Sequence, residues 1–270
     1  MARTGWMLAG GIALALAARA DGPAQEFDCM IEARQNIEIR SPAEGLIDRV
    51  LVQRGDIVAR GQVLAIVESS QERAALDVAR TRAEMQGEIK VAEARLDLSS
   101  KKMERAQELH RQQFVSDSAR DEAVAEFRLA SEDLRRTREN QRLAQAEAAR
   151  ASTAVELRTI RSPFNGVVVE VLLKPGELAA TATVKNPVMK LAEIDPLYVE
   201  VVLPSKLFGS IRRGQQATVL PEAPVHGQHA SVVKVVDRVI DAASGTFGVR
   251  LELPNRNGRV PPGIRCRVRF

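Results

Sequence analysis

A short motif occurs twice in this chain, and a long stretch without proline separates the two copies. Ser41-Pro42-Ala43-Glu44-Gly45 returns as Ser162-Pro163-Phe164-Asn165-Gly166. The same offset aligns Gly55-Asp56-Ile57 with Gly176-Glu177-Leu178. An internal repeat constrains the fold strongly, because both copies predict the same structural unit. The sequence therefore predicts one β unit that is divided into two halves, with an insert between them.

Each half is predicted to contain two short strands joined by turns. Branched and apolar residues predict strands at 46–52 and 62–67, and again at 167–173 and 188–192. Five glycines lie at turn spacing, where positive φ carries no Cβ clash. These turn glycines are Gly45, Gly55, Gly61, Gly166 and Gly176. The two halves, residues 40–68 and 158–195, together predict a small flattened β-sandwich.

The insert, residues 69–157, has the pattern of a helical hairpin. Its only glycine is Gly87, which costs about 1 kcal/mol relative to alanine in a helix. Ser69 and Glu72 have capping-box spacing, which predicts a helix start. Steps of three and four residues trace a narrow seam along each arm, as in an antiparallel coiled coil. The seams run through Ala75, Val78, Arg82, Met85, Ile89, Ala92, Leu96, Ser99, Met103, Ala106 and His110, and through Ala123, Phe127, Ala130, Leu134, Thr137, Gln141, Ala144, Ala148, Ala151 and Val155.

The seam pattern lapses near residues 110–118, where the chain is expected to reverse. Ser116 or Ser118 is expected to cap the second helix, with Asp121 and Glu122 in its first turn. Each arm then has roughly 40 residues and a length of about 60 Å. A rod of this length spans distance, so we expect it to contact something at its tip.

Strand patterns return in residues 196–270. Strands are predicted at 197–203, 216–220, 229–239, 246–253 and 264–270, with a short helix at 205–211. Several short strands and one small helix predict a small β-barrel. Residues 27–39 are expected to supply an N-terminal strand that joins the barrel and the sandwich.

The N-terminal residues 1–20 predict a signal peptide that is cleaved before Asp21. Arg3 precedes a short apolar run that closes on Ala18-Arg19-Ala20. The run is shorter than the ~20 residues that cross a bilayer, which favours a cleaved signal peptide. Membrane association through an uncleaved anchor is the alternative. We expect the mature protein in an oxidising compartment outside the cytoplasm. There Cys29 and Cys266 could form a disulfide, and two buried free thiols are the alternative.

Composition argues against several classes of function. The net charge of +4 is spread as mixed signs, without the basic runs that nucleic-acid binding requires. His226 and His229 lie in a loop that contains glycine, with too few other ligands to predict a metal site. We find no catalytic constellation, so we expect neither an enzyme nor a cofactor.

The two-half pattern resembles the biotinyl/lipoyl domain, over both Ser-Pro-x-x-Gly motifs and the strands that follow them. In carriers of that family, a tight hairpin with the modified lysine joins the halves, and the long insert 69–157 replaces it here. Val188-Met189-Lys190-Leu191 looks like a biotin-acceptor tetrapeptide. The repeat, however, aligns Lys190 with Ala65 inside a strand, so we expect Lys190 to be an ordinary outward strand residue.

The whole order of modules resembles the periplasmic adaptor family (membrane fusion proteins, HlyD-like) of tripartite efflux systems. The resemblance implies an α+β fold: a split lipoyl-like β-sandwich that carries a long antiparallel α-helical coiled-coil hairpin, followed by a small β-barrel. Besides the two Ser-Pro motifs, these residues carry it: Leu197-Tyr198-Val199, Arg213-Gly214-Gln215, Ala217-Thr218-Val219 and Val249-Arg250-Leu251-Glu252-Leu253-Pro254-Asn255.

The resemblance also implies a periplasmic adaptor that bridges an inner-membrane transporter and an outer-membrane channel. Its implied partners are a TolC-like channel, an RND-type or ABC-type transporter and further copies of itself in a homo-oligomeric ring. In that family the hairpin tip engages the channel through Arg-x3-Leu-x6-Ser, which Arg105, Leu109 and Ser116 match. The structural alternative is a solvated arginine, a leucine beside the seam and a helix cap.

Two other functions stay open at this point: a biotinyl/lipoyl carrier-type protein and a coiled-coil scaffold without a transport role. Adaptors of RND pumps usually continue beyond the barrel into a membrane-proximal domain, whereas this sequence ends at Phe270. We therefore expect the barrel itself to contact the transporter, or the transporter to be of another type.

Overall fold

A computed structural model describes residues 25–179 and 187–270. The predicted signal peptide, residues 1–20, lies outside the described residues. The strands are β1 (Glu26–Ile39), β2 (Gly45–Val50), β3 (Ile57–Val58), β4 (Val63–Val67), β5 (Thr159–Arg161), β6 (Gly166–Val171), β7 (Leu178–Ala179), β8 (Met189–Pro204), β9 (Gln216–Pro221), β10 (His229–Val236), β11 (Thr246–Leu253) and β12 (Ile264–Arg269). The α-helices are α1 (Ser70–Glu84), α2 (Gly87–Arg111) and α3 (Asp117–Glu156). Within this part of the chain, no helix is both long and apolar enough to cross a membrane.

The chain forms two compact units. One contains residues Gln35–Glu193, and the other contains Ile194–Phe270 together with the N-terminal strand residues up to Arg34. The boundaries between the units fall inside β1 and β8.

The two halves of the repeat interlock in one sandwich. In the first half, β2 pairs with β7 of the second half, so that Gly45 lies opposite Ala179. In the second half, the equivalent strand β6 pairs with β3 of the first half, so that Gly166 lies opposite Val58. Each half thus completes its sheet with a strand of the other half. The predicted split sandwich is confirmed.

Buried apolar side chains from both halves fill the sandwich. The fully buried residues include Leu64 and Val67 from the first half, and Met189 and Leu191 from the second. The serines of the two repeated motifs are also buried and make equivalent bonds. The Ser162 hydroxyl donates to the carbonyl oxygen of Phe164 at 2.6 Å, and the Ser41 hydroxyl donates to the carbonyl oxygen of Ala43.

The prediction that all five repeat glycines have positive φ is wrong for two of them. Gly55, Gly61 and Gly176 have φ between 83° and 93°. Gly45 and Gly166 instead begin strands, where other atoms approach too closely for a side chain. A Cβ on Gly45 would overlap the guanidinium of Arg158 and approach Val67 Cγ1 to 2.8 Å.

The first arm of the hairpin is broken, in contrast to the single helix that the sequence predicts. Helix α1 ends at Glu84, Met85 takes an extended conformation with ψ 115°, and α2 begins at Gly87. Both α1 and α2 pack antiparallel against α3.

This break shifts the seam. In α2 and α3 the predicted seam is correct, as the buried Ala92 and Leu134 show. In α1 the prediction is wrong, because Ala75 and Val78 are exposed and Leu76 is buried. The break at Met85 changes the helical phase, so the true α1 seam lies one residue later than a continuous helix would place it.

The predicted capping box is also wrong. The Ser69 side chain makes no cap, and the Ser70 N–H donates instead to Glu68 Oε1 at 2.7 Å. Hydrogen bonds from Ser70 lower the pKa of the Glu68 carboxyl. Glu72 is held by the guanidinium of Arg158, which also donates to the carbonyl oxygen of Glu44 at 2.6 Å. Arg158 therefore ties α1 to the repeated motif.

The second unit is the predicted small β-barrel. Its antiparallel strands follow the order β1, β12, β9, β10, β11, β8. The core is apolar, with Ile31, Leu197, Leu203, Leu251 and Leu253 fully buried. The predicted helix at 205–211 is reduced to a 3₁₀ turn at Ser205–Leu207, since Gly209 takes φ 88°.

A disulfide joins the first and last strands of this unit. Cys29 in β1 lies directly opposite Cys266 in β12, and the two Sγ atoms are bonded at 2.05 Å. Both residues are buried.

Candidate docking site at the hairpin tip

The end of α2 is built by backbone hydrogen bonds. Gln113 follows the helix with φ 62°, which is the left-handed region. Its N–H donates to the carbonyl oxygen of His110 at 2.9 Å, and the N–H of Phe114 donates to that of Leu109 at 2.9 Å. These two bonds form a Schellman motif, which satisfies carbonyls that a helix end would leave free. The chain therefore turns sharply at Gln113.

We expect Gln113→Gly to stabilise the protein by about 0.5–1 kcal/mol. A left-handed conformation costs a residue with a Cβ about 1–2 kcal/mol, and the extra entropy of the unfolded glycine cancels part of that gain. Urea denaturation measures the change. The matched control is Gln112→Gly, where φ is −87° and glycine relieves no strain. Equal effects of the two substitutions would contradict the explanation.

Side chains close the reversal on the α3 side. Ser116 is the N-cap of α3, and its hydroxyl accepts from the N–H of Ala119 at 3.3 Å. His110 Nε2 lies 2.8 Å from Asp117 Oδ1, across the turn. The acidic residue of the first turn is Asp117, so the prediction of Asp121 and Glu122 in that turn is wrong. The helix begins at Asp117 because Ser116, and not Ser118, is the cap.

Arg105, Leu109 and Ser116 all lie near the reversal. Arg105 is exposed in α2, and its guanidinium makes no hydrogen bond or ion pair with any residue of the described ranges. Leu109 is half-buried one turn later. The Ser116 side chain is exposed, and its O–H can donate even while its oxygen accepts the cap bond. The tip thus offers a free cation, an apolar group and a hydroxyl.

The seam pattern did not reveal Phe114. Its side chain is 75% exposed at the apex of the reversal, where no helical periodicity exists to identify it. The available indication was an aromatic residue in a chain with only 3% aromatics. An exposed ring five residues after Leu109 suits contact with apolar groups and with hydrogen-bond acceptors.

Lys190 lies in β8, opposite Glu170 of β6. Its Nζ is 3.0 Å from Glu170 Oε2. The hydrogen bond and charge of Glu170 raise the pKa of the Lys190 amine. The side chain therefore lies on a strand in an ion pair with Glu170, and not at the tip of a hairpin as in the carriers.

The histidine loop does not form a cluster of ligands. His226 is exposed, and Nε2 of His229 is buried without a hydrogen-bond partner in the described part of the chain. Across residues 25–179 and 187–270, no three side chains of His, Cys, Asp or Glu lie together as metal ligands would.

Two family models match the chain. The model described as CzcB-like, barrel-sandwich hybrid domain matches residues 35–188. The model described as CusB-like, beta-barrel domain matches residues 196–270.

Relatives named as export or efflux proteins are similar over most of the chain. Macrolide export protein MacA of Yersinia pestis is 24% identical over 230 residues, which are 83% of this chain and 62% of MacA. Cation efflux system protein CzcB of an Alcaligenes species is 26% identical over 224 residues, which are 82% of this chain and 39% of CzcB. The chain therefore spans less than two thirds of the length of these relatives.

Solved structures share the fold. The crystal structure of MacA from Actinobacillus actinomycetemcomitans has a TM-score of 0.74 at 17% identity, over 92% of this chain and 78% of that one. The membrane fusion protein Spr0693 of Streptococcus pneumoniae R6 has a TM-score of 0.58 at 16% identity, over 91% and 97%. At these identities the likeness concerns the fold alone.

Proposed function

Because this chain belongs to the family of periplasmic adaptors, or membrane fusion proteins, we propose that it bridges an inner-membrane efflux transporter and an outer-membrane channel. In this role the chain forms part of the export conduit, and the transporter supplies the energy. The proposed location is the periplasm, after cleavage of the signal peptide.

The hairpin tip is the observation that carries this proposal. Helix α3 has 40 residues, so it is about 60 Å long. A helix of this length places the hairpin tip far from the sandwich that carries it. The groups at the tip make few contacts within the chain, since Arg105 has no partner in the described residues and Phe114 is mostly exposed. Groups with these properties are suited to a contact with another protein.

The chemistry of the tip indicates what it would bind. The free guanidinium of Arg105 can donate paired hydrogen bonds to a carboxylate or to backbone carbonyls. Leu109 and Phe114 can fill an apolar recess, and a buried aromatic anchor often dominates the affinity of an interface. The Ser116 O–H adds one further donor. The proposed partner at this end is a TolC-like channel whose rim presents acceptors beside an apolar recess.

At the other end, the proposed partner is an inner-membrane transporter of RND or ABC type. Copies of the chain are proposed to form a homo-oligomeric ring, with sandwiches and barrels around a conduit. Relatives carry names for export of macrolides and of cations.

Crosslinking from the tip tests the proposal. Leu109→Cys, treated with a bifunctional thiol reagent in cells that contain the channel, is expected to give a covalent adduct with that channel. The matched control is Lys101→Cys, an exposed position two turns lower on the same helix, which is expected to give none. Equal crosslinking from both positions, or adducts with unrelated proteins only, would overturn the docking proposal.

A carrier role is the competing function. It requires a covalent group on Lys190, the only candidate that the acceptor-like tetrapeptide offers. Intact mass spectrometry of the protein from its native host distinguishes the two functions. We expect an unmodified Lys190, whereas a biotinyl or lipoyl adduct there would favour the carrier.

A further inference from the structure

The exposed large apolar side chains of the three helices all lie on one side of the hairpin. Each occupies the position directly before a seam residue. In a heptad whose seam residues are a and d, this is position c, on the same flank of both arms. We call these five residues the apolar flank: Val78, Val91, Leu98, Leu129 and Leu143.

A groove on this side shows that both arms contribute to one surface. The groove has a volume of about 910 Å³ and lies beside the break in the first arm. Val91 and Leu143, from opposite arms, both line it, together with Met85 at the break. Met85 is also largely exposed. The break therefore widens the apolar flank and leaves it uncovered.

Three ion pairs cross between the arms on this side, and their charges are ordered. Arg82 pairs with Glu147 at 3.5 Å, Arg95 with Asp133 at 3.8 Å and Lys102 with Glu126 at 3.3 Å. The bases all belong to the first arm, and the acids all belong to α3. This surface thus has a basic row and an acidic row side by side.

The ion pairs also set the register of the two arms. By that register Leu98 lies level with Leu129, and Met85 lies level with Leu143. Leu98 and Met85 therefore each have an apolar counterpart at the same height on α3, whereas Val91 lies level with Thr137.

We propose that the apolar flank pairs with the apolar flank of a second copy, about a two-fold axis parallel to the hairpin, with both tips pointing the same way. This rotation places the first arm of each copy opposite α3 of the other. Leu98 then meets Leu129 of the second copy, and Met85 meets its Leu143, each contact occurring twice. The same rotation places each basic row opposite an acidic row.

The charges select this orientation. If the tips pointed in opposite directions, the first arm would face the first arm, and the basic row would lie against itself. Each row has exceptions: Arg136 and Arg150 on α3, of which Arg136 is bound to Asp133 at 2.6 Å, and Glu88 on the first arm, which also lines the groove. The far side of α3 carries Arg128, Arg135 and Arg142 and no exposed large apolar residue. Within the described hairpin, the apolar surface that can cover the apolar flank is therefore the same flank of a second copy.

The pair is a different assembly from the proposed ring. In the pair the two apolar flanks face each other across the two-fold axis and leave no conduit between them, whereas neighbouring copies in a ring contact through two different surfaces. The pair therefore has to separate before a ring forms, which makes it the form of the chain that is not engaged with a channel. The inference does not depend on channel docking, which uses the tip.

Sedimentation velocity on the purified full chain tests the pairing without any partner. The wild type is expected to show a dimer that grows with concentration, and Leu129→Lys is expected to raise its dissociation constant at least about tenfold. The matched control is Gln145→Lys, which adds the same charge at an exposed position on the opposite side of α3, and it is expected to behave as wild type. A wild-type monomer at concentrations on the order of 100 μM, or equal effects of both variants, would overturn the proposal.

Mixed disulfides test the geometry. Chains with Leu98→Cys, mixed with differently tagged chains with Leu129→Cys, are expected to form a disulfide between the two types. The chain has only two cysteines of its own, and these are bonded to each other. Chains with Lys101→Cys in place of Leu98→Cys are expected to give no such product. Preferential disulfides between two Leu98→Cys chains would show the opposite orientation and refute the one proposed.

Discussion

Gly166→Ala is expected to lower the free energy of unfolding by about 2–3 kcal/mol, because the new methyl group has no room. It would overlap the carbonyl oxygen of Ala192 and approach Phe164 Cε2 to 2.8 Å. Ala192 belongs to β8, which pairs with β6 next to this position. The clash is with backbone, so two strands have to separate to relieve it. Chemical denaturation followed by circular dichroism measures the loss.

Two other glycines provide controls for this prediction. Gly45→Ala, at the equivalent position of the repeat, meets the mobile guanidinium of Arg158 and a methyl of Val67, so we expect a smaller loss of about 1 kcal/mol. Gly87→Ala meets no atom within 4 Å and is expected to leave stability unchanged or to raise it. If Gly166→Ala is no worse than Gly87→Ala, the close approach of β8 does not explain the glycine at this position of the repeat.

Asn255→Ala is expected to destabilise the barrel by about 3 kcal/mol, since it removes three hydrogen bonds from a buried site. The side-chain amide of Asn255 donates to the carbonyl oxygens of Ile194 and Val260 at 3.0 Å and 2.9 Å. Its Oδ1 accepts from the N–H of Val260 at 3.1 Å. Alanine leaves all of these backbone groups without their partner, and unsatisfied buried polar groups are costly.

The control for this residue is Asn257→Ala, two residues away on the exposed side of the same turn. We expect a change within about 0.5 kcal/mol, as for most surface substitutions. The measurement is thermal unfolding followed by near-ultraviolet circular dichroism. A similar loss for both variants would show that the turn, and not the buried amide, is responsible.

Gly166→Ala and Asn255→Ala both change residues outside the hairpin tip, so these two variants can also test the proposed function. Their expected effect on export follows the fraction of folded protein alone. The molecules that fold should still crosslink to the channel from Leu109→Cys. A loss of crosslinking in well-folded Gly166→Ala protein would indicate that the sandwich, as well as the tip, contributes to docking.

Periodic and local features of the sequence were sufficient for the architecture. The repeated Ser-Pro motif and its turn spacing predicted one sandwich in two halves, which the exchanged pairing of β2 with β7 and of β6 with β3 confirms. The absence of proline and the seam in α2 and α3 predicted the antiparallel hairpin. Such patterns are readable because burial repeats with the period of the element that carries it.

Only the tertiary structure decided the points where distant residues compete for the same group or the same space. Arg158 holds Glu72, so the predicted capping box with Ser69 does not form. The extended conformation of Met85 shifts the α1 seam by one residue and opens the groove beside it. Gly45 and Gly166 are required by neighbouring atoms rather than by turns. Sequence spacing reports which side of an element is buried, whereas the identity of the atoms that meet there depends on contacts between residues far apart in the chain.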